Sequence, residues 1–183
     1  MNPSEDTRNL VDKYKGLSNE EIIADLDKSR ISLEIAIENL AHDFNIGTIV
    51  RNANAFNVAR VHIIGKRKYN RRGAMVTDKY LHIDHFATVD EFVDDARARN
   101  MKIVAVDNNR PEAKALAKTK LSANSILVFG SESDGISQEL LDRSDQAFYI
   151  EQLGSTRSIN VGCASAVAMY EAARRLGLLP KDA

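Results

Sequence analysis

Cysteine is almost missing from this chain. The lone Cys163 among 183 residues excludes an intramolecular disulfide and a cysteine-rich zinc site, and a reducing cytoplasm is the simplest setting for it. No apolar run approaches the roughly 20 residues that cross a bilayer. The opening stretch, Met1 to Leu10, is polar and acidic, unlike the apolar centre of a secretory signal. Three prolines and nine glycines are too few to build a linker, and no repeat or low-complexity tract interrupts the chain. A charge excess is lacking as well, since 25 Lys and Arg against 26 Asp and Glu leave a formal net charge of −1. A polyanion would therefore have to be met by a local patch, not by the whole surface. What remains is an ordinary globular composition, 44% hydrophobic and 28% charged, in a length that suits one domain with a full core.

Hydrophobic spacing reads as strands alternating with helices. Ser18 and Glu21 have capping-box spacing ahead of Ile22, Ile23 and Leu26, which predicts an opening helix. Residues 1–30 then form an N-terminal helical arm, and residues 31–183 the main domain. Ile31, Leu33, Ile35 and Ile37 alternate as on one face of a strand. Asn45 to Asn57 has helical spacing, and Val61 to Ile64 is a short strand. A brief helix is expected around Met75 to Tyr80 and a weaker strand over His82 to Ala87. Thr88 and Glu91 cap a further helix. Strands follow at Lys102 to Val106, Ser125 to Phe129 and Gln146 to Ile150, with a brief helix expected at Pro111 to Ala117 and another at Ser137 to Arg143. Ser158 to Leu176 is the last helix, rich in small residues. Such alternation implies a single α/β domain with a mainly parallel sheet.

Ligands of open parallel sheets bind beyond the carboxyl ends of strands, so the loops there matter most. In the first, Asn45 can cap a helix, and Gly47 and Arg51 share one helical face. Small Gly47 would let another stretch of chain approach beside a guanidinium suited to phosphate; the plain alternative is a surface arginine. The second, Gly130 to Ser137, is a glycine-flanked acidic turn with Glu132 and Asp134, suited either to a ligand's hydroxyls or to nothing more than a strand-to-helix turn. The third, Ile150 to Val161, brings Ser158 and Asn160 to a helix entry, where Ser158 is the expected cap. Between the first two lies a basic cluster, Lys66, Arg67, Lys68, Arg71 and Arg72, with Tyr69 offering a stacking face. It can hold phosphates or be a solvated loop. His42, His62, His82 and His85 have no metal-ligand spacing, so no metal is expected, and Cys163 among alanines reads as core packing. Neither a GxGxxG fingerprint nor a P-loop occurs.

Taken together and in order, the stretches NIGTIVRNANAFNV, ILVFGSESDGIS and STRSINVGCASAVAMYEAAR resemble the three motifs of the SpoU/TrmH branch of the SPOUT methyltransferases. They run from Asn45 to about Arg174, most of the chain. The resemblance implies a C-terminal deep trefoil knot, a rare exception to the usual rules of connection, and a homodimer. It implies S-adenosylmethionine as methyl donor, held by backbone at Val106, Gly130, Ile150 and Ile159. It implies catalytic roles for Arg51, Asn45, Glu132, Ser158 and Asn160. Against the family pattern, Glu151 and Gln152 stand where Pro-Met is common, Ile159 replaces leucine and Gly162 replaces a serine.

The implied activity is methylation of a ribose 2′-hydroxyl of RNA, tRNA before rRNA, with the basic cluster as RNA contact. A base methyltransferase and a non-catalytic RNA-binding protein on the same scaffold are the competing expectations. No membrane association is expected.

Overall fold

The computed structural model describes residues 9–39, 45–108, 110–131 and 134–179. Seven strands form one sheet: β1 (Ile31–Asn39), β2 (Val58–Gly65), β3 (Ile83–Phe86), β4 (Lys102–Val106), β5 (Lys114–Ala115), β6 (Ser125–Phe129) and β7 (Gln146–Tyr149). Their order is β3-β2-β1-β6-β4-β7-β5, and every pairing is parallel. The α/β class with a parallel sheet is therefore as expected. From β1 the chain builds outward to β2 and β3, then crosses to the other side for the remaining strands. That reversal puts the carboxyl ends of β1, β6, β4 and β7 side by side, where α/β sheets bind ligands.

The described residues form five α-helices, α1 (Asn19–Asp27), α2 (Asn45–Ala55), α3 (Val89–Ala98), α4 (Gln138–Asp142) and α5 (Val161–Arg175), of which α2 and α5 pack on one face of the sheet and α3 and α4 on the other. One core layer joins Leu33, Ile35 and Ile37 of β1 to Ile46, Ile49, Val50 and Ala53 of α2 and to Ala168, Met169 and Ala172 of α5. The opposite layer joins Ala36, Ile126 and Val128 to Phe92, Val93 and Ala96 of α3 and Leu140 of α4. Small residues on α5 let it lie close to α2, and burying both layers is what drives the domain to fold.

β1 departs from the expected one-sided strand. From Leu33 onward it is buried on both faces, because helices cover both sides of a parallel sheet. Its even positions therefore bury acids. Glu34 lies beneath Arg99, which bonds both its carboxylate oxygens at 2.8 and 3.0 Å, and His62, wholly buried, meets it at 2.7 Å. His82 lies 2.9 Å from Asp27.

The helix expected over Pro111 to Ala117 is absent. Lys114–Ala115 instead adds an edge strand to β7, followed by a single helical turn at Leu116–Lys118. Two residues are too short to carry a period, so the pattern there had nothing to signal. The helix expected near Met75 divides into the single turns Arg71–Ala74 and Thr77–Tyr80. Met75 and Val76 between them have left-handed backbone, φ 48° and 65°.

The capping box is present: Ser18 Oγ accepts from Glu21 N–H and Glu21 reaches back to Ser18 N–H. α1 lies against the Thr77–Tyr80 turn through a small cluster of Tyr14, Ile22 and Tyr80. No helix among the described residues is long and apolar enough to cross a membrane.

Candidate active site

α2 presents distinct faces, and each holds a different part of the site. Asn45, Thr48 and Asn52 follow one another at three- and four-residue spacing toward α5. Asn45 Oδ1 accepts from Asn160 Nδ2 at 2.8 Å. Asn52 Nδ2 donates to Gly162 O at 2.8 Å and to Ser165 Oγ at 2.9 Å. The third-motif helix is thus anchored on the first-motif helix by amide side chains.

Asn160, not Ser158, caps α5. Its Oδ1 accepts from Cys163 N–H at 3.2 Å, and the helix opens at Val161. Ser158 stays in the preceding turn, its carbonyl accepting from the Thr156 hydroxyl at 3.0 Å. Cys163 is exposed, not packed in the core, because α5 turns its opposite side to α2. Gly162 does occupy tight space: a Cβ there would lie 2.8 Å from the Thr48 methyl. Here Thr48 fills the room that a serine would need.

The other face of α2 carries Gly47, Arg51 and Asn54. The chain that approaches Gly47 is the basic segment itself. A Cβ at Gly47 would lie 2.8 Å from both Asn70 O and Ala74 N, and 2.9 Å from Gly73 Cα. Asn39 Nδ2 holds the start of that segment, donating to Lys66 O at 2.5 Å and Lys68 O at 3.1 Å. Lys66, Arg67, Lys68 and Arg72 are exposed. Arg71 is occupied by Asp78, its Nε donating at 2.5 Å. Tyr69 does not offer the expected stacking face. It is half-buried against the main core, and burial, with Asp78 nearby, pushes its hydroxyl up to about 12.

At the carboxyl ends of β4, β6 and β7 lies a cavity of about 390 Å³. Its walls include Val106, Gly130, Ile150 and Ile159, together with Ser158 and Asn160. Gly130 admits no side chain, since a Cβ would sit 2.0 Å from Gly135 C and O. The turn opposite is closed by two backbone bonds between Ser131 and Gly135, each 3.0 Å. Buried acids clamp the two residues after Gly135: Asp107 Oδ2 accepts from Ile136 N–H at 3.2 Å, and Glu38 Oε2 from Ser137 N–H at 2.7 Å. Glu132 lies outside the described residues.

Asp134 of the acidic turn lines the cavity, as do Asp107, Asn108 and Arg157, which were not singled out from the sequence. The only signal available was their position just after a strand or within a polar loop. Glu151, one of the departures, turns away from the cavity and accepts from Ala117 N–H at 3.1 Å; Gln152 lines it. Arg51 is not in this cavity. It is exposed, its guanidinium 3.5 Å from Asn9 Oδ1. Among the described residues no cluster of three or more His, Cys, Asp or Glu could hold a metal ion.

The model of the SpoU rRNA Methylase family matches residues 32–170. The chain belongs to that family. A relative from Escherichia coli strain K12, tRNA (guanosine(18)-2'-O)-methyltransferase, is 27% identical over 155 residues, 82% of this chain. The chain spans just under two thirds of that relative's length, 66%. Among solved structures, the Aquifex aeolicus TrmH/SpoU tRNA modifying enzyme superposes with a TM-score of 0.74 at 23% identity, covering 87% of this chain and 84% of that one. An AdoMet-bound rRNA methyltransferase from Sinorhizobium meliloti gives 0.71 at 22% identity, covering 82% of this chain and 60% of that one. These likenesses establish the SpoU-type fold.

Proposed function

We propose that this SpoU-family chain transfers a methyl group from S-adenosylmethionine to a ribose 2′-hydroxyl of RNA, with tRNA the preferred substrate over rRNA. The observation that carries the reading is the cavity beyond β4, β6 and β7. All four positions assigned to the cofactor by resemblance, Val106, Gly130, Ile150 and Ile159, fall on its wall. The chemistry of the wall suits that molecule. Val106, Ile150, Ile159 and Ala164 offer apolar surface for a flat ring, while Asp107, Asn108, Asp134 and Arg157 offer partners for hydroxyl, ammonium and carboxylate groups. Gly130 lets the Gly135 backbone close in on it, which shapes the turn that borders the cavity. The rRNA methyltransferase from Sinorhizobium meliloti binds AdoMet on the same fold, and the Escherichia coli relative is named for 2'-O-methylation of a tRNA guanosine.

The cofactor supplies the electrophilic methyl group, so the chain's work is positioning and charge. The Asn45–Asn160 pair fixes the helix entry beside the cavity. Arg51 orients the 2′-hydroxyl and an adjacent phosphate; a guanidinium has donors and no acceptor, so it stabilises charge and does not act as a simple base. Orientation of this kind contributes about 7–11 kcal/mol to a well-aligned transfer. Ser158 and Glu132 assist as polar neighbours, and no metal takes part. Lys66, Arg67, Lys68 and Arg72 hold RNA phosphates, with Arg71 committed to Asp78.

Arg51 does not line the cavity of its own chain, which supports a site shared between two copies. An apolar groove with exposed Val167 and Tyr170 beside Phe56 and Ile150 is the surface a homodimer would bury. The arm ends near residue 30, and the C-terminal segment is threaded in the trefoil manner of the family.

The test is incubation with radiolabelled S-adenosylmethionine and total RNA from a host lacking this gene, followed by nucleoside analysis. A labelled 2′-O-methylnucleoside is expected, chiefly in the tRNA fraction. Label on a base would overturn the ribose assignment, and binding without turnover would favour a non-catalytic RNA-binding protein.

A further inference from the structure

A second cavity, about 420 Å³, opens on the opposite side of α2 from α5. The N-terminal arm forms one wall and α2 the other. Val11, Tyr14, Val76 and Tyr80 make it apolar, while Arg51 and Asn54 bring charge and an amide to it. Its size falls within the range of small-molecule sites, which combine apolar walls with a few polar groups.

Two features tie this cavity to the RNA side of the molecule. The Thr77–Tyr80 turn on its wall is one unit with the basic segment. Arg71 pairs with Asp78 across it, and Thr77 Oγ1 donates to Ala74 O at 2.7 Å. The segment that would hold phosphates is thereby fixed to the wall of the cavity. The second feature is strain. Met75 and Val76, both on its wall, adopt φ of 48° and 65°, a region that β-branched valine rarely enters. Backbone held there persists where the surroundings impose it, and such positions gather at ligand clamps.

We propose that this cavity receives one unpaired nucleobase of the RNA substrate, making the N-terminal arm a substrate-reading element. Single-stranded RNA is recognised by splayed-out bases, stacked on flat or apolar side chains and hydrogen-bonded along their edges. Apolar walls take the faces, Asn54 the edge, and Arg51 at the same site takes the neighbouring phosphate. The inference rests on the RNA reading given above and adds where a base is held.

The test compares two RNA heptamers of equal charge: an abasic backbone carrying a single central nucleobase, and the same backbone with none. Binding is followed by fluorescence anisotropy at several salt concentrations, with S-adenosylhomocysteine present. The wild-type protein should prefer the base-bearing heptamer by about tenfold, as one stacked base provides. Ala55→Trp, which fills the cavity from α2, should reduce that preference to less than about twofold with the salt slope and S-adenosylhomocysteine affinity unchanged. Asn54→Ala, a smaller change, should lower it in part and covers the case of an unfolded tryptophan variant. A wild-type protein without the preference, or variants that keep it in full, would overturn the proposal. Failure of the wild type to bind either heptamer would bring down the RNA reading itself, and this inference with it.

Discussion

Asn160 Nδ2 donates to Asn45 Oδ1 at 2.8 Å, while Asn160 Oδ1 accepts from Cys163 N–H at 3.2 Å. One side chain thus caps α5 and ties it to the start of α2. Two variants separate these roles. Asn160→Ala loses both and should cost about 1 kcal/mol of stability as a lost cap. Asn160→Ser keeps a good capping group but is too short to reach Asn45. It should melt near the wild-type temperature yet transfer methyl groups at least about tenfold more slowly. Equal activity in Asn160→Ser and wild type would remove the pair from the mechanism.

Gly47 meets the basic segment backbone to backbone, so nothing flexible can give way to a side chain. Gly47→Ala should destabilise the protein by about 1–3 kcal/mol, the usual result of overpacking. It should also displace the Asn70–Ala74 turn and weaken RNA binding more than cofactor binding. Titration of both ligands to the same variant checks this, and an equal loss for both would contradict it.

The sequence made the sheet legible because long apolar strands and amphipathic helices carry strong periods. Lys102–Val106 and Ser125–Phe129 match their expected bounds. The two-residue strand at Lys114–Ala115 was hidden, since pairing with β7 and not local pattern creates it. At the site, the residues quoted from the second and third loops, Gly130, Ile150, Ser158, Ile159 and Asn160, line the cavity while Arg51 of the first does not, and local spacing could not say which way each points. Ser158 and Asn160 both have capping chemistry, and only the geometry of the turn decides for Asn160. Tyr69 reads as exposed among cations, yet it is drawn inward by the core. The buried Glu34–His62 pair and the Arg99 that covers it were beyond reach as well, because the three come from two strands and a helix C-terminus far apart in sequence.

The Glu34 carboxylate held by His62 and Arg99 predicts a pH dependence. Burial alone would push the Glu34 carboxyl up, but hydrogen bonds from His62 and Arg99 outweigh it and hold it at about 2, below the ordinary 4.5. A folded-state value below the unfolded one adds stability that is full above about pH 4.5 and is lost as pH falls toward 2. Urea unfolding of wild type and Glu34→Gln between pH 7 and pH 3 should show the smaller acid loss in the variant. Arg99→Ala, which strands a buried carboxylate, should cost about 3 kcal/mol at pH 7. Identical pH profiles for wild type and Glu34→Gln would refute the assignment.

The basic residues should divide by their partners. Lys66, Arg67 and Lys68 are exposed, so replacing all three by alanine should flatten the logarithmic salt dependence of RNA binding by about 2, with little effect on melting. Arg71 is bound to Asp78, whose side chain is nearly buried. Arg71→Ala should instead cost about 2 kcal/mol of stability, the value of a hydrogen bond to a charged group. A triple variant with an unchanged salt slope would sink the RNA role of the cluster.

Arg51 offers the sharpest division between binding and chemistry. It lies outside the cavity assigned to the cofactor, with its guanidinium on the arm side of α2. Arg51→Ala should therefore leave S-adenosylhomocysteine affinity within about twofold of wild type and lower turnover by about 10²–10³-fold, the scale of losing one group that stabilises developing charge. Arg51→Lys should recover little, because an ammonium cannot reproduce the paired bonds of a guanidinium to phosphate. If the same change abolished cofactor binding, Arg51 would belong to the cofactor site and the separation of the two faces of α2 would be mistaken. If turnover survived, positioning of the hydroxyl would have to come from Asn45, Ser158 and Asn160, the polar groups at the cavity and the helix entry beside it.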